Sequence, residues 1–445
     1  MDTKRSHGGD WAGYAAQYGH APLDFSANIS PLGVPAGVRA AICAAAETAD
    51  RYPDPECRAL RAAIARHEGV PMEQILCGNG AAELIFRVAQ ALRPRRALVT
   101  APSFTEYEVA LSSVDCAVTR WPLDAAFQLD AAVLEAITPE TDVVFLSQPN
   151  NPSGVCIGRG LLERIARRCT ERGCLLVLDE CFIDFLNAPE AATMKGRLND
   201  FPRLLILRAF TKFYAMAGVR LGYALCADGA LLSRMQEMAQ PWSVSSLAAA
   251  AGVAALEERD YAARLRALIA EERPWLKAQL QSLGLFVAEG EANFLLFRSP
   301  RALDAPLCER GILLRCCSDF AGLDETWYRT AVRTREENER LIAAAGLCGE
   351  DAGGALRIWR RDRRKHQSPN SAQCEAAMAG ALGLRLCGPA SYFGVAHDKP
   401  FIGDDTRPIT PRDIDRACRL ELAGSLLALA LLALLRFIFV LTTGG

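Results

Sequence analysis

A strand-like run, Leu204-Leu-Ile-Leu-Arg-Ala-Phe-Thr-Lys212, ends in a lysine, and Arg220 follows eight residues later. A lysine at the mouth of an apolar strand, in a loop of small residues, suits an amine that must shed its proton and form an imine. Burial favours the neutral amine, and that is the nucleophilic form. The plainer reading is a surface lysine on a loop. The choice turns on whether the rest of the chain supplies partners for such an amine.

Other stretches do so, in a consistent order. Cys77-Gly-Asn-Gly80-Ala81-Ala-Glu83 opens a helical pattern and offers backbone N–H groups to a phosphate. Arg220 can pair with the same phosphate in bidentate fashion, and Thr211 is a nearby hydroxyl. Pro102-Ser-Phe104-Thr-Glu-Tyr107 sets an aromatic just after a strand, and Phe104 either stacks on a flat ring or belongs to the core. Leu175-Leu-Val-Leu-Asp179-Glu180 ends an apolar strand in acids. Asp179 either keeps a ring nitrogen protonated or caps a helix. Asn151, in Gln148-Pro-Asn-Asn-Pro-Ser-Gly154, is a donor for a ring hydroxyl within an otherwise ordinary turn sequence. Arg329, in Trp327-Tyr-Arg-Thr-Ala-Val332, is either a bidentate grip on a carboxylate or a surface arginine on a strand. Together these parts meet the needs of pyridoxal 5'-phosphate (PLP).

The elements that must position them alternate. Strand candidates Ala97–Thr100, Val143–Ser147, Leu175–Leu178, Leu204–Leu207 and Tyr223–Cys226 are interleaved with helical patterns at Ala81–Leu92, Leu161–Arg172 and Ser243–Glu258. Such alternation predicts an α/β fold with a mostly parallel sheet, whose ligands sit at the carboxyl ends of the strands. From about 260 the pattern restarts as a smaller α+β domain: a helix over Tyr261–Leu283, short strands, and a final helix over Glu336–Ala345. The expected division is an N-terminal segment 1–35, a large domain 36–258, a small domain 259–346, a linker 347–371 and a tail 372–445. The linker reading rests on Trp359-Arg-Arg-Asp-Arg-Arg-Lys-His366, a solvated basic run. Within the tail, 422–441 is long and apolar enough for a transmembrane helix, broken only by Arg436.

A net charge of -2 gives no electrostatic basis for nucleic-acid binding. The 16 cysteines show no C-x-x-C pairing, which argues against a metal site. With a polar stretch at Met1–Asp10 in place of a signal peptide, they read as reduced thiols of a cytoplasmic protein, possible membrane anchoring by the C-terminal helix apart.

Over residues 5 to 346 these stretches resemble the fold-type I PLP enzymes of the class I/II aminotransferase superfamily, in the branch containing histidinol-phosphate aminotransferase. His7-Gly-Gly-Asp, Asp24-Phe-Ser-Ala-Asn28-Ile-Ser-Pro-Leu-Gly33, Asp179-Glu-Cys-Phe-Ile-Asp-Phe185 and Thr211-Lys-Phe-Tyr-Ala-Met-Ala-Gly-Val-Arg-Leu-Gly-Tyr223 are similar to the group that decarboxylates L-threonine O-3-phosphate in cobalamin biosynthesis. The resemblance implies Lys212 as the imine-forming lysine, Asp179 on the ring nitrogen, Asn151 near the ring hydroxyl, Arg220 on the cofactor phosphate and Arg329 on the substrate carboxylate. It also implies His7 and Asn28 near the substrate. Tyr52 would reach the cofactor phosphate of a second copy in a homodimer. One departure stands out: Ala209 occupies a position where the family often has a phosphate-binding Ser or Thr. The stretches Met378–Gly394 and Lys399–Asp404 resemble the end of adenosylcobinamide-phosphate synthase. The implied reaction is decarboxylation to (R)-1-aminopropan-2-yl phosphate. The alternatives are a histidinol-phosphate-type aminotransferase and an inactive membrane-tethered scaffold.

Overall fold

The computed structural model describes residues 7–347, 352–366, 372–392, 395–411 and 413–418, with scattered positions between 420 and 429. The chain divides into two compact units, 1–344 and 345–445.

The first unit is built on a seven-stranded sheet of β1 (Ile75–Gly78), β2 (Arg96–Ala101), β3 (Ala117–Pro122), β4 (Val143–Ser147), β5 (Leu175–Asp179), β6 (Leu204–Ala209) and β7 (Gly222–Cys226). Their spatial order is β1-β7-β6-β5-β4-β2-β3. Neighbours run parallel except β7, which is antiparallel to both β1 and β6. The central strands β4, β5 and β7 are buried along their whole length, as expected of strands covered by helices on both faces. One face packs α1 (Ala81–Leu92), whose Leu84, Ile85 and Val88 meet Val99, Phe145, Val177 and Leu207. The expected strands all form. The sequence reading passes over β1 and β3; β3 is an edge strand without a buried position, so it lacks the apolar run that marks its neighbours.

A four-stranded antiparallel sheet follows, of β8 (Phe286–Val287), β9 (Phe294–Arg298), β10 (Arg315–Cys316) and β11 (Trp327–Ala331), in the order β10-β11-β9-β8. A helix over Arg259–Ser282 precedes it. The N-terminal segment joins this part of the unit: Leu23–Asp24 pairs in parallel with Ile312–Leu313, and Ala331 N donates to Phe25 O at 2.8 Å.

In the second unit, helices Ala352–Asp362 and Gln373–Leu382 pack closely, and a Cβ on Gly380 would fall 2.3 Å from the Gly354 carbonyl oxygen. Ile358, Ala372, Ala376, Ala379 and Ile402 form its core. The stretch expected to be a solvated linker therefore carries a helix. Ile358 and a buried Asp362, held by Arg361, Lys365 and the Gly403 N–H, give its basic sequence a face to pack. Among the described residues no helix is long and apolar enough to cross a membrane. The apolar run 422–441 lies largely outside the described residues.

Candidate active site

The carboxyl ends of β2, β4, β5 and β6 open on a cavity of about 350 Å3. It is lined by Phe104, Asn151, Asp179, Thr211, Lys212 and Arg220 from the seven-stranded part, Arg315 and Arg329 from the four-stranded part, and His7 and Asn28 from the N-terminal segment.

Lys212 stands in a single helical turn, Phe210–Phe213, directly after β6. Burial, reinforced by the Arg329 and Arg220 charges, brings its ammonium down from 10.5 to about 8. Desolvation penalises the charged form, so the neutral amine becomes accessible near neutral pH.

Asp179 is the last residue of β5. Its Oδ2 accepts a 2.6 Å hydrogen bond from the Tyr107 hydroxyl, and its Oδ1 accepts from Cys181 N at 3.0 Å. Behind it, Glu180 is wholly buried and lies 3.2 Å from Arg208 of β6. Arg208 also meets Asp184 at 3.0 Å and Glu68 at 3.8 Å, while Tyr223 of β7 and Lys195 donate to Glu68. This buried charge cluster ties β5, β6 and β7 together beneath the two residues that face the cavity.

Gly80 caps the start of α1 with φ of 87°, a conformation that favours glycine. A Cβ there would lie 2.8 Å from an Arg220 Nη atom, so the turn and the guanidinium share one cradle. Ala81, Ala82 and Thr211 line the same end of the cavity, and Ala209 exposes only a methyl group to it.

Arg329 lies opposite Leu296 on one side of β11 and opposite Arg315 on the other. Its Nη1 donates to Asn151 Oδ1 at 2.5 Å, its Nη2 donates to Ser26 O at 3.1 Å, and burial brings its pKa down to about 10. His7 Nε2 lies 3.1 Å from Glu106 Oε1. Asn28 is buried; its carbonyl accepts from Asn293 Nδ2 at 3.1 Å, while its own Oδ1 and the Ser103 hydroxyl have no hydrogen-bond partner among the described residues.

All but two of the expected site residues line this cavity. Gly80 is reached through Arg220. Tyr52 is 79% exposed and stacks on Trp242 at 4.3 Å, away from the cavity of its own chain. Arg315, Glu106 and Cys181 line the cavity as well, and sequence reasoning missed them. Arg315 carried a usable signal: like Lys212, it follows a short apolar strand, Ile312-Leu-Leu.

The lining fits a phosphate-bearing aromatic cofactor. It gathers Lys212, Arg220, Arg315 and Arg329 against Asp179 and Glu106, with Asp319 bonded to Arg315 at 2.6 Å, an aromatic wall and orphaned polar atoms. Such a surplus of cations suits anionic occupants. A mostly parallel sheet with one reversed strand, bearing a buried lysine after β6 and a carboxylate at the end of β5, defines an α/β enzyme of the PLP-binding kind. The chain belongs to the class I and II aminotransferase family, whose family model matches residues 21–344. A second match, to the CobD/Cbib protein family, covers residues 338–421.

The chain is 43% identical to the threonine-phosphate decarboxylase of Salmonella typhimurium over 76% of this chain and 95% of that protein. Among solved structures, the histidinol-phosphate aminotransferase of Clostridium acetobutylicum superposes with a TM-score of 0.69 at 28% identity, covering 73% of this chain and 98% of that one. The histidinol-phosphate aminotransferase of Sinorhizobium meliloti, solved in complex with pyridoxal-5'-phosphate, shares the fold with a TM-score of 0.70 at 24% identity, covering 78% and 95%.

Proposed function

We propose that the cavity binds PLP and that the protein decarboxylates L-threonine O-3-phosphate to (R)-1-aminopropan-2-yl phosphate. The observation that carries the substrate is the pair Arg315 and Arg329. They face each other in register across β10 and β11, both are buried, and both line the cavity. With Arg220 given to the cofactor phosphate, two guanidinium groups serve the carboxylate and the phosphate of a phosphorylated amino acid. The identity with the Salmonella threonine-phosphate decarboxylase supports the same reading.

When bound, PLP supplies an electron sink for the pair left at Cα as its bond to the carboxylate breaks. The residues of the chain then divide the work. Gly80, Ala81, Thr211 and Arg220 hold the cofactor phosphate. Phe104 covers one ring face, Asn151 donates to the ring hydroxyl, and Asp179 keeps the ring nitrogen protonated. Arg329 orients the substrate carboxylate, while Arg315, His7 and Asn28 surround the rest of the substrate. Lys212 would be the anchoring amine, and its ammonium form, or a water, would supply the proton that Cα takes up once the carboxylate has left.

The test is incubation of the protein and PLP with L-threonine O-3-phosphate, following carbon dioxide and aminopropanol phosphate by mass spectrometry, with Lys212→Ala as control. Stoichiometric products that vanish in the variant support the reading. Activity confined to histidinol phosphate with a keto acid moves the protein to the aminotransferases, a reading favoured by the superposition on the Clostridium enzyme.

Two further parts belong to this proposal. The exposed Tyr52–Trp242 stack is the edge of a homodimer interface through which Tyr52 reaches a second copy's cofactor phosphate. The tail acts as an anchor through its apolar run 422–441, whose length is enough to cross a bilayer. Fractionation of the full chain with and without 422–445 tests the anchor.

A further inference from the structure

Tyr107 has no part in the chemistry above, yet it is fully enclosed directly behind the site. Its side chain has no exposure at all. Its ring stacks on Phe145 with centroids 5.1 Å apart, and meets the Phe104 ring edge-on at 5.6 Å. Its hydroxyl donates at 2.6 Å to Asp179 Oδ2. Burial and the Asp179 charge push the phenol well above its ordinary pKa of 10, so it remains a protonated donor at any working pH. Cys181 N occupies the other carboxylate oxygen from within the same loop.

We propose that Tyr107 is a positioning residue that governs how the Asp179 carboxylate shares a proton with the cofactor ring nitrogen. The inference rests on the reading of Asp179 as the ring-nitrogen partner. A donor on Oδ2 takes up one of the carboxylate's acceptor sites in a charge-assisted hydrogen bond, which leaves that oxygen less able to draw the proton from the ring. The shared proton then stays on the nitrogen, where it makes the ring an electron sink, and does not move to the oxygen. The same ring touches Phe104, so one side chain sets both the electronics of the ring nitrogen and the wall against its face. Removing the hydroxyl leaves a buried carboxylate with one donor fewer, free to draw the proton off the ring.

The experiment uses the PLP-loaded full chain with cofactor labelled with 15N in the ring. Tyr107→Phe keeps the aromatic packing and removes only the hydroxyl. It is expected to shift the ring 15N resonance from the protonated toward the neutral position, and to lower kcat about tenfold with KM within about twofold. Asp179→Asn is expected to shift the resonance further, and adding Tyr107→Phe to it should shift nothing more. A Tyr107→Phe resonance identical to the parent's overturns the proposal, whatever the effect on rate. So does an equal added shift in the Asp179→Asn background, which would mean that Tyr107 acts by packing. If Asp179→Asn itself leaves the resonance unmoved, the assignment of Asp179 fails, and this inference falls with it. Urea unfolding of each variant separates loss of fold from these outcomes.

Discussion

Arg329 and Asn151 are 178 residues apart in the chain, and Arg329 Nη1 donates to Asn151 Oδ1 at 2.5 Å. A guanidinium can only donate, so this contact settles which end of the Asn151 amide is oxygen. The amide nitrogen is left to donate elsewhere in the cavity. One hydrogen bond thus joins the residue assigned to the substrate carboxylate to the residue assigned to the cofactor ring. Arg329→Lys keeps the charge and loses the fork. Its KM for L-threonine O-3-phosphate should rise by a factor of roughly 10–100, the worth of one charge-assisted hydrogen bond. Steady-state product formation measures this, and an unchanged KM would remove Arg329 from the substrate site.

Lys212 burdens the folded apoprotein. Its pKa falls from 10.5 unfolded to about 8 folded, so the unfolded chain binds the proton more tightly. The resulting destabilisation is fully present below about pH 8 and disappears as pH rises from there to 10.5. It amounts to about 3 kcal/mol at neutral pH. Lys212→Met should therefore stabilise the apoprotein against urea at pH 7 by an amount of that order, and the gain should shrink at pH 10.

The opposite sign holds at Glu68. Burial raises its pKa, but Arg208, Lys195 and the Tyr223 hydroxyl outweigh that and bring it from 4.5 down to about 2. Its contribution is present above pH 4.5 and is lost as pH falls through that value toward 2, again about 3 kcal/mol. Neighbouring Glu180 is pushed up by its own burial and works against this. The difference between the parent and Glu68→Gln therefore isolates the effect better than either curve. Acid titration of urea stability should show the two converging below pH 3.

Ala209 offers a gain. Its methyl group faces the cavity beside Thr211 and Arg220. Ala209→Ser adds a donor where the cofactor phosphate is assigned, and a hydrogen bond to a charged group is worth about 1.5–3 kcal/mol. Titration of the apoprotein with PLP should show binding tightened by about tenfold or more. Unchanged affinity would place the phosphate elsewhere.

The Tyr52–Trp242 stack predicts its own outcome. The full chain should run as a dimer in sedimentation equilibrium, and Tyr52→Ala should weaken PLP binding by about tenfold while leaving the dimer intact. A monomer that binds PLP as tightly as the parent would show that each cavity is complete within one chain.

Much of the site was legible in the sequence because a mostly parallel sheet places function at strand ends. In β5 the residue that breaks the apolar run, Asp179 after Leu175–Leu178, marks the mouth of the cavity, and Lys212 lies one helical turn past the strand that begins at Leu204; the break within that strand, Arg208, marks instead the buried charge cluster. The N-cap turn at Gly80 was legible for a related reason, since glycines before an amphipathic helix announce a backbone open to anions.

What the sequence could not decide is which residues meet across long separations. Arg315 and Arg329 become a pair only through the register of two antiparallel strands, and Tyr107, in the helix Glu106–Ser112, meets Asp179 at the end of β5 only once the chain has folded. The charge cluster around Arg208 draws on residues from 68 to 223, none of which signals its partners locally. Local pattern records how each segment meets water, and that determined the strands, the helices and the lysine. Burial, proton affinity and pairing depend on the groups that the folded chain brings within a few ångströms, and those only the tertiary structure decided.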